Sequence, residues 1–308
     1  MKMLNLSIIT AAIIGAVSVN AANQTTTIYQ SGHGNTADAL QSGSHKVLID
    51  ITQKGTSNSA DAKQIGASHS DTVIYQSGSL NSANTDQGGS KNDINIEQRG
   101  KRNKADVDQT GYRNETNIDQ RGRRNDASVD QRGRFNDTNI DQYGRKNDAD
   151  VAQRGQHNKI DVDQHGNNNT ADIDQRGRKN DIKVNQKGDG NDAQVTQSGR
   201  FNDTTVKQAG TGNDATVKQS GSFNDVDVSQ KGQRNDALVK QSGFKNDVDL
   251  DQIGRSNDAN VKQSGAWNKS DTYQNGHHND VTVSQTAYSD LATVTQYGGH
   301  NSATVTQN

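Results

Sequence analysis

From Asn125 to Gln164 the chain reads "NDASVDQRGRFNDTNIDQYGRKNDADVAQRGQHNKIDVDQ". Asn, a small or β-branched residue, Val or Ile, and Gln take alternate positions, and charged or hydroxyl residues fill the places between. That period of two is the signature of a strand with one buried face. A Gly two places after each Gln, with variable polar residues beyond it, reads as a tight turn. The pattern predicts a strand of about five to six residues followed by a turn of about four.

The pattern persists along the chain as Q-x-G-x-x-N-x-(A/T/I/V)-x-(V/I)-x-Q. Twenty-six Gln hold this register from Gln30 to Gln307, at steps of 11, 12, 11 and 12 as far as Gln76 and of 11 thereafter. An eleven-residue repeat can also suit a helix, but these apolar positions form no helical stripe. A second period lies above the first. Seven places after Gln the residue is Ala105, Ala127 and Ala149 on one set of strands, and Ile94, Thr116 and Thr138 on the other. The unit is therefore 22 residues, two unlike strands facing each other across a thin core. Some thirteen such coils, stacked about 4.7–4.9 Å apart, make a β-solenoid rod about 60 Å long with cross-β character.

Inward-facing amides are costly unless they are paired. In a solenoid the same side chain recurs directly above and below, so each amide can join a continuous ladder. The residues assigned to these ladders, structural and self-associating, are Gln30, Asn35 and Gln41 at the start. Gln98, Asn103, Gln109, Asn114, Gln120, Asn125, Gln131, Asn136 and Gln142 follow in the middle, and Gln296, Asn301 and Gln307 at the end. Gly100, Gly111, Gly122, Gly133 and Gly144 are the turn glycines between them. The first strand, "TTTIYQ", and the last, "NSATVTQN", are both in register. No capping repeat is expected, so the terminal coils should invite another copy. Such head-to-tail contacts do not close and lead to a filament.

Outside the repeat, Lys2 and the apolar run Leu4 to Val17 precede the small-x-small triplet Val19-Asn20-Ala21. This is the pattern of a secretory leader over 1–21, leaving 22–308 as the repeat domain. The run is short for a membrane span. Composition alone leans toward disorder, with 28% hydrophobic residues, four Phe and one Trp, but a strict register argues against that for the final state. There is no Cys for disulfides or thiolate sites, and no Pro to break long sheets.

The repeat resembles the curlin repeat of curli, the secreted amyloid fibres of bacterial biofilms. "TIYQSGHGNTADALQ", with Gln30, Gly32, Asn35 and Gln41, is similar to an opening repeat of that family, and the resemblance spans about residues 25–308. It implies an amyloid β-solenoid with inward Gln and Asn, secretion through an outer-membrane pore, and nucleation by a related minor subunit at the cell surface. It also implies extracellular fibres that act in the matrix and in adhesion. The Gly-rich stretch usual between leader and first repeat is nearly absent here, and the repeats are more numerous, which marks a lengthened relative. The regular Gln/Asn pattern favours a major fibre subunit over a nucleator-like one.

Asp108, Asp130 and Asp174, each just before a register Gln, are candidate gatekeepers that slow assembly until export is complete. Arg-rich turns such as Arg121-Gly122-Arg123-Arg124 suit anionic matrix polymers, polysaccharide or DNA, without sequence-specific nucleic-acid recognition. The net charge of −2 gives no dominant partner of one sign. Phe135, Phe201, Phe223 and Trp267 on turns read as tolerated surface residues. No His/Asp constellation recurs for a metal, no cofactor motif or catalytic elbow interrupts the repeat, and an enzyme is not expected. The competing reading is a soluble monomeric solenoid acting as an adhesin or an ice- or ligand-binding protein. Mixed outward residues count against it. The turn "TAYSD", where Ala287 replaces Gly and Asp290 replaces Asn, is the main departure from the pattern near the C-terminal end.

Overall fold

The computed structural model describes residues 24–308; the leader assigned to 1–21 lies outside the described residues. Every element is a strand, numbered in chain order from β1 (Gln24–His33) and β2 (Thr36–Ser42) to β25 (Leu291–Gly299) and β26 (Ser302–Gln307). Odd-numbered strands form one 13-stranded parallel sheet and even-numbered strands form another, so each 22-residue coil adds one strand to each. The β-solenoid expected from the sequence is the fold observed.

Strands pair in register, which places like residues at like heights. Between β9 (Glu115–Arg123) and β11 (Asp137–Arg145), Thr116 meets Thr138, Ile118 meets Ile140, and Gln120 meets Gln142. The core is one continuous column. Ile, Val or Thr of the odd sheet, such as Ile160 and Val162, face Ala and Val of the even sheet, such as Ala149 and Val151, all with no measurable exposure. Large against small keeps the two sheets close and fills the space between them.

Two details differ from the expectation. Most strands have nine residues, and the connection is only two, as in Arg124-Asn125 between β9 and β10 (Asp126–Arg134). The ladder continues past each Gln because the following glycine accepts a backbone that other residues resist. Gly122 has φ of 126°, and a Cβ there would collide with the carbonyl oxygen of Gly144 on the next coil. The second difference is in the core. In β23 (Lys269–His277) the inward residues are Ser270 and Thr272, and neither hydroxyl oxygen has a partner. Opposite them β24 (Asp280–Gln285) carries Val281 where most even strands carry Ala, so bulk has moved across the core. Ser270 and Thr272 thus put two unpartnered hydroxyls into the core of one coil.

The two twelve-residue steps are absorbed at stacked turns. Pairing between the first coils is offset by 23 residues, as in Gln30 with Gln53 and Gln41 with Gln64. Ser44 and Ser70 are buried in those turns, and Ser44 Oγ accepts the backbone N–H of Ala67.

Candidate functional site

The candidate site is the stacking surface itself. Gln120 Nε2 donates to Gln142 Oε1 at 2.8 Å and to the carbonyl oxygen of Lys104 at 2.7 Å. Lys104 begins β8 (Lys104–Tyr112) of the other sheet, so one buried amide joins two coils and ties the sheets together. On the even sheet Gln109 Nε2 donates to Gln131 Oε1 at 2.7 Å, and Gln131 in turn to Gln153 at 2.8 Å. Thr hydroxyls reinforce this ladder: Thr116 Oγ1 accepts from Gln109 Nε2 and donates to Gln131 Oε1, both at 3.2 Å.

The asparagines run the other way. Asn114 Oδ1 accepts the backbone N–H of Asn136 from the following coil at 3.1 Å. Asn136 Nδ2 meanwhile donates to the carbonyl oxygens of Arg132 and Gly155. Asn103 and Asn125 repeat the pattern on the opposite edge, with Asn125 N–H to Asn103 Oδ1 at 3.1 Å. Each coil thus offers Gln N–H donors and Asn carbonyl acceptors toward the C-terminal side. Toward the N-terminal side it offers Gln Oε1 acceptors and Asn backbone donors. The stack is polar, and every coil is complementary to its neighbours.

At the start of the described array Gln30 and Gln41 donate to Gln53 at 2.7 Å and Gln64 at 3.0 Å, while Asn35 Oδ1 accepts the backbone N–H of Asn58. At its end Gln296 and Gln307 accept from Gln274 and Gln285, and Asn301 N–H donates to Asn279 Oδ1. Gln98 lies between Gln76 and Gln120 in the same ladder. Gly100, Gly111, Gly133 and Gly144 all have φ between 120° and 131° and stack glycine on glycine, as Gly122 does.

The coil has two turn edges. Turns after odd strands carry an unbroken column of Asn from Asn35 to Asn301; this is the asparagine edge. Turns after even strands carry Val47, then Ser70, then Asn92 to Asn268 in that place, and finally Asp290, whose backbone N–H still donates to Asn268 Oδ1 at 3.0 Å. On this second edge Tyr112, Phe135 and His157 stand in one column and Phe201, Phe223, Phe244 and Trp267 in its continuation, with successive rings 4.6–6.0 Å apart. It is the aromatic edge. Along the chain these rings look isolated. The signal was a spacing of 22 rather than 11, blurred because Phe244 sits one place earlier in its turn than Phe223.

Charges are arranged locally. Asp130, a gatekeeper candidate, is held by Arg132 at 2.7 Å and Arg154 at 3.0 Å, and Asp174 by Arg176 at 2.7 Å. These i, i+2 pairs lie on the same outer face of a strand. Asp108 has no such partner among the described residues. Burial, then Asp86, Asp106 and Asp130 around it, push its carboxyl up. Lys101, Arg102, Arg123, Arg124, Arg145 and Lys146 line three successive turns of the asparagine edge. Aspartates that open the strands also stack, as Asp181, Asp203, Asp225 and Asp247 do. Burial, with Asp181 and Asp225 above and below, pushes Asp203 up to about 6. Among the described residues no His, Asp or Glu group is arranged to hold a metal ion.

The curlin associated repeat matches this chain in ten segments running from 100–133 through 155–188 and 199–232 to 277–308. No curated protein matches it. The matched segments begin after the irregular twelve-residue steps and cover the coils where the Gln, Gly and Asn ladders are most regular. With a profile that covers about two thirds of its length and coincides with its stacking units, this chain belongs to the curlin associated repeat family.

Proposed function

We propose that residues from about 22 onward are exported and polymerise head-to-tail into extracellular curli-type fibres of a biofilm matrix. The observation that carries this is the polarity of the amide ladders. The donors and acceptors facing one way at β25 and β26 complement those facing the other way at β1 and β2, as between any two inner coils. A second copy can continue both sheets, both glutamine ladders and the asparagine ladder that runs from Asn35 to Asn301. Membership of the curlin family supports the reading, and with it the expectation of an outer-membrane pore, a nucleator and adhesion by the finished fibre.

The test is dilution of the purified chain out of denaturant, followed by amyloid-dye fluorescence, seeding and fibre diffraction. Seeded growth with reflections near 4.7 and 10 Å is the expected result. A soluble β-rich monomer that never seeds would sink it and favour a monomeric adhesin. In the same assay, a chain with Asp108, Asp130 and Asp174 changed to Asn should show a shorter lag if these residues restrain assembly. An unchanged lag removes the gatekeeper role.

A further inference from the structure

Five large aromatic side chains, Phe201, Phe223, Phe244, Trp267 and Tyr288, occupy five successive turns of the aromatic edge and remain 39%, 46%, 39%, 46% and 68% exposed. Three of them stand where the backbone resists them: Phe201, Phe223 and Trp267 have φ of 55°, 59° and 63°. A bulky residue at positive φ is unusual and costs conformational energy. On the asparagine edge the equivalent turn position at neighbouring coils is Gly190 and Gly212, with φ of 65° and 64°. The left-handed position recurs on both edges, but over these coils one edge fills it with exposed rings and the other with glycine or polar residues such as Asn168, Gly190, Gly212 and Arg234. Strained positions of this kind concentrate at functional surfaces.

The borders of this row are charged with opposite sign. On the side of the odd sheet it is flanked by Asp203, Asp225 and Asp247, which open β17 (Asp203–Thr211), β19 (Asp225–Gln233) and β21 (Asp247–Arg255). On the side of the even sheet it is flanked by Lys218, Lys240 and Lys262 on β18 (Asp214–Ser222), β20 (Asp236–Phe244) and β22 (Asp258–Gln263). The three lysines are exposed and make no ion pair among the described residues; of the three aspartates only Asp247 is paired, with Lys269.

We infer that the aromatic edge from Phe201 to Tyr288 is a lateral seam that binds the same edge of a second copy of this chain in a parallel neighbouring filament. The inference rests on the fibre reading above. A partner must repeat at the strand spacing to cover five rings at once, and a second copy has that repeat. A two-fold axis parallel to the rod sets the lysine border of each copy against the aspartate border of the other. An antiparallel pair sets lysine against lysine and aspartate against aspartate, so charge selects the parallel pair. One copy offers only about 500 Å² of exposed ring surface by the usual area of an aromatic side chain. That falls short of the roughly 800 Å² per partner found in stable complexes. Single chains should then stay unpaired, while filaments, which repeat the seam once per subunit, pair through many weak contacts.

Trp267 is the one Trp of the chain and reports on the seam directly. Filaments of the unchanged chain and of F201G/F223G are compared by negative-stain width, sedimentation, and iodide quenching of Trp267 emission. Glycine suits the left-handed backbone, so the variant keeps its solenoid. The expected result is paired filaments with blue-shifted, quencher-protected Trp267 in the unchanged chain, against single filaments with exposed Trp267 in the variant. Unchanged elongation rates should accompany that difference. Filaments that form but stay single, or pair equally well in F201G/F223G, overturn the seam and leave the fibre reading intact. Absence of any filament overturns both.

Discussion

At Gly190-Asn191 on one edge and Phe201-Asn202 on the other, the chain makes the same two-residue turn, with φ of 65° and 55° at the first residue. Both turns pass the ladder to the next coil through an Asn carbonyl. What surrounds that shared backbone differs. The asparagine edge runs thirteen Asn without a break, offers glycine or polar residues at the left-handed position over its middle coils, and carries its cations at Lys101 to Lys146. The aromatic edge holds Val47 and Ser70 in the asparagine place at its first two turns and Asp290 at its last, and loads the left-handed position with Phe, Trp, Lys and Arg. The hydrogen-bonding role is fixed by geometry and is conserved from coil to coil. The outward side chains are free of it, and there the two edges have diverged.

The largest expected effect tests whether the shared backbone is truly shared. Gly144 on the asparagine edge and Gly155 on the aromatic edge have φ of 120° and 130°, and a Cβ on either would collide with the glycine carbonyl of the next coil. Gly144→Ala and Gly155→Ala should each lower stability by about 3 kcal/mol or more, read as the shift in denaturant midpoint. A loss at one position and tolerance at the other would mean that the edges differ in backbone and not only in side chains.

A smaller effect separates the middle of a ladder from its end. Asn169 Oδ1 accepts the backbone N–H of Asn191, and Asn169 Nδ2 donates to the carbonyl oxygen of Gly188 on the next coil. Asn169→Asp keeps the acceptor but sets a carboxylate against carbonyl oxygens, and should cost about 2–4 kcal/mol. Asp290 holds the equivalent place in the last described turn of the aromatic edge, with its carboxylate facing the backbone N–H of Ala287. Asp290→Asn should change stability by less than about 0.5 kcal/mol. Equal effects from the two substitutions, measured by denaturation, would break the distinction.

The smallest effect is pH dependence along the aspartate column beside the aromatic edge. Burial raises Asp181, Asp203 and Asp225, with Asp203 at about 6 against an ordinary value of 3.8. The folded chain therefore holds these protons more tightly than the unfolded chain. The stabilisation is complete below pH 3.8 and is lost as pH rises through about 6. The denaturant midpoint should thus be higher at pH 4.5 than at pH 7.5, and Asp203→Asn should flatten that slope. A midpoint that rises with pH over this window would contradict the assignment.

Much of the fold was legible because a buried face on a strand imposes a period of two, and stacking like on like imposes identical residues at each step. The alternation of Ala105 with Thr116 and Ala127 with Thr138 already separated the two sheets. The same alternation reverses at Ser270 and Val281, a signal present in the sequence that marks the coil with unpartnered core hydroxyls. Strand length was underestimated because Gly at positive φ looks like a turn in sequence yet keeps the ladder going here. The pairs Asp119–Arg121 and Asp130–Arg132 were hidden because in sequence each charge looks like an isolated surface residue.

By itself the sequence determined the repeat, the inward amides, the glycine positions and the two-strand coil, since each is a local demand of strand periodicity repeated along the chain. Only the tertiary structure decided the direction of the ladders. Gln reaches the next amide with its own N–H, whereas the shorter Asn, held at the turn, receives a backbone N–H from the coil that follows. It alone also brought residues 22 apart to within a strand spacing. Scattered turn aromatics thereby became one column on one edge, because a side chain's neighbours in a solenoid are set by the stacking of coils and not by the order of the chain.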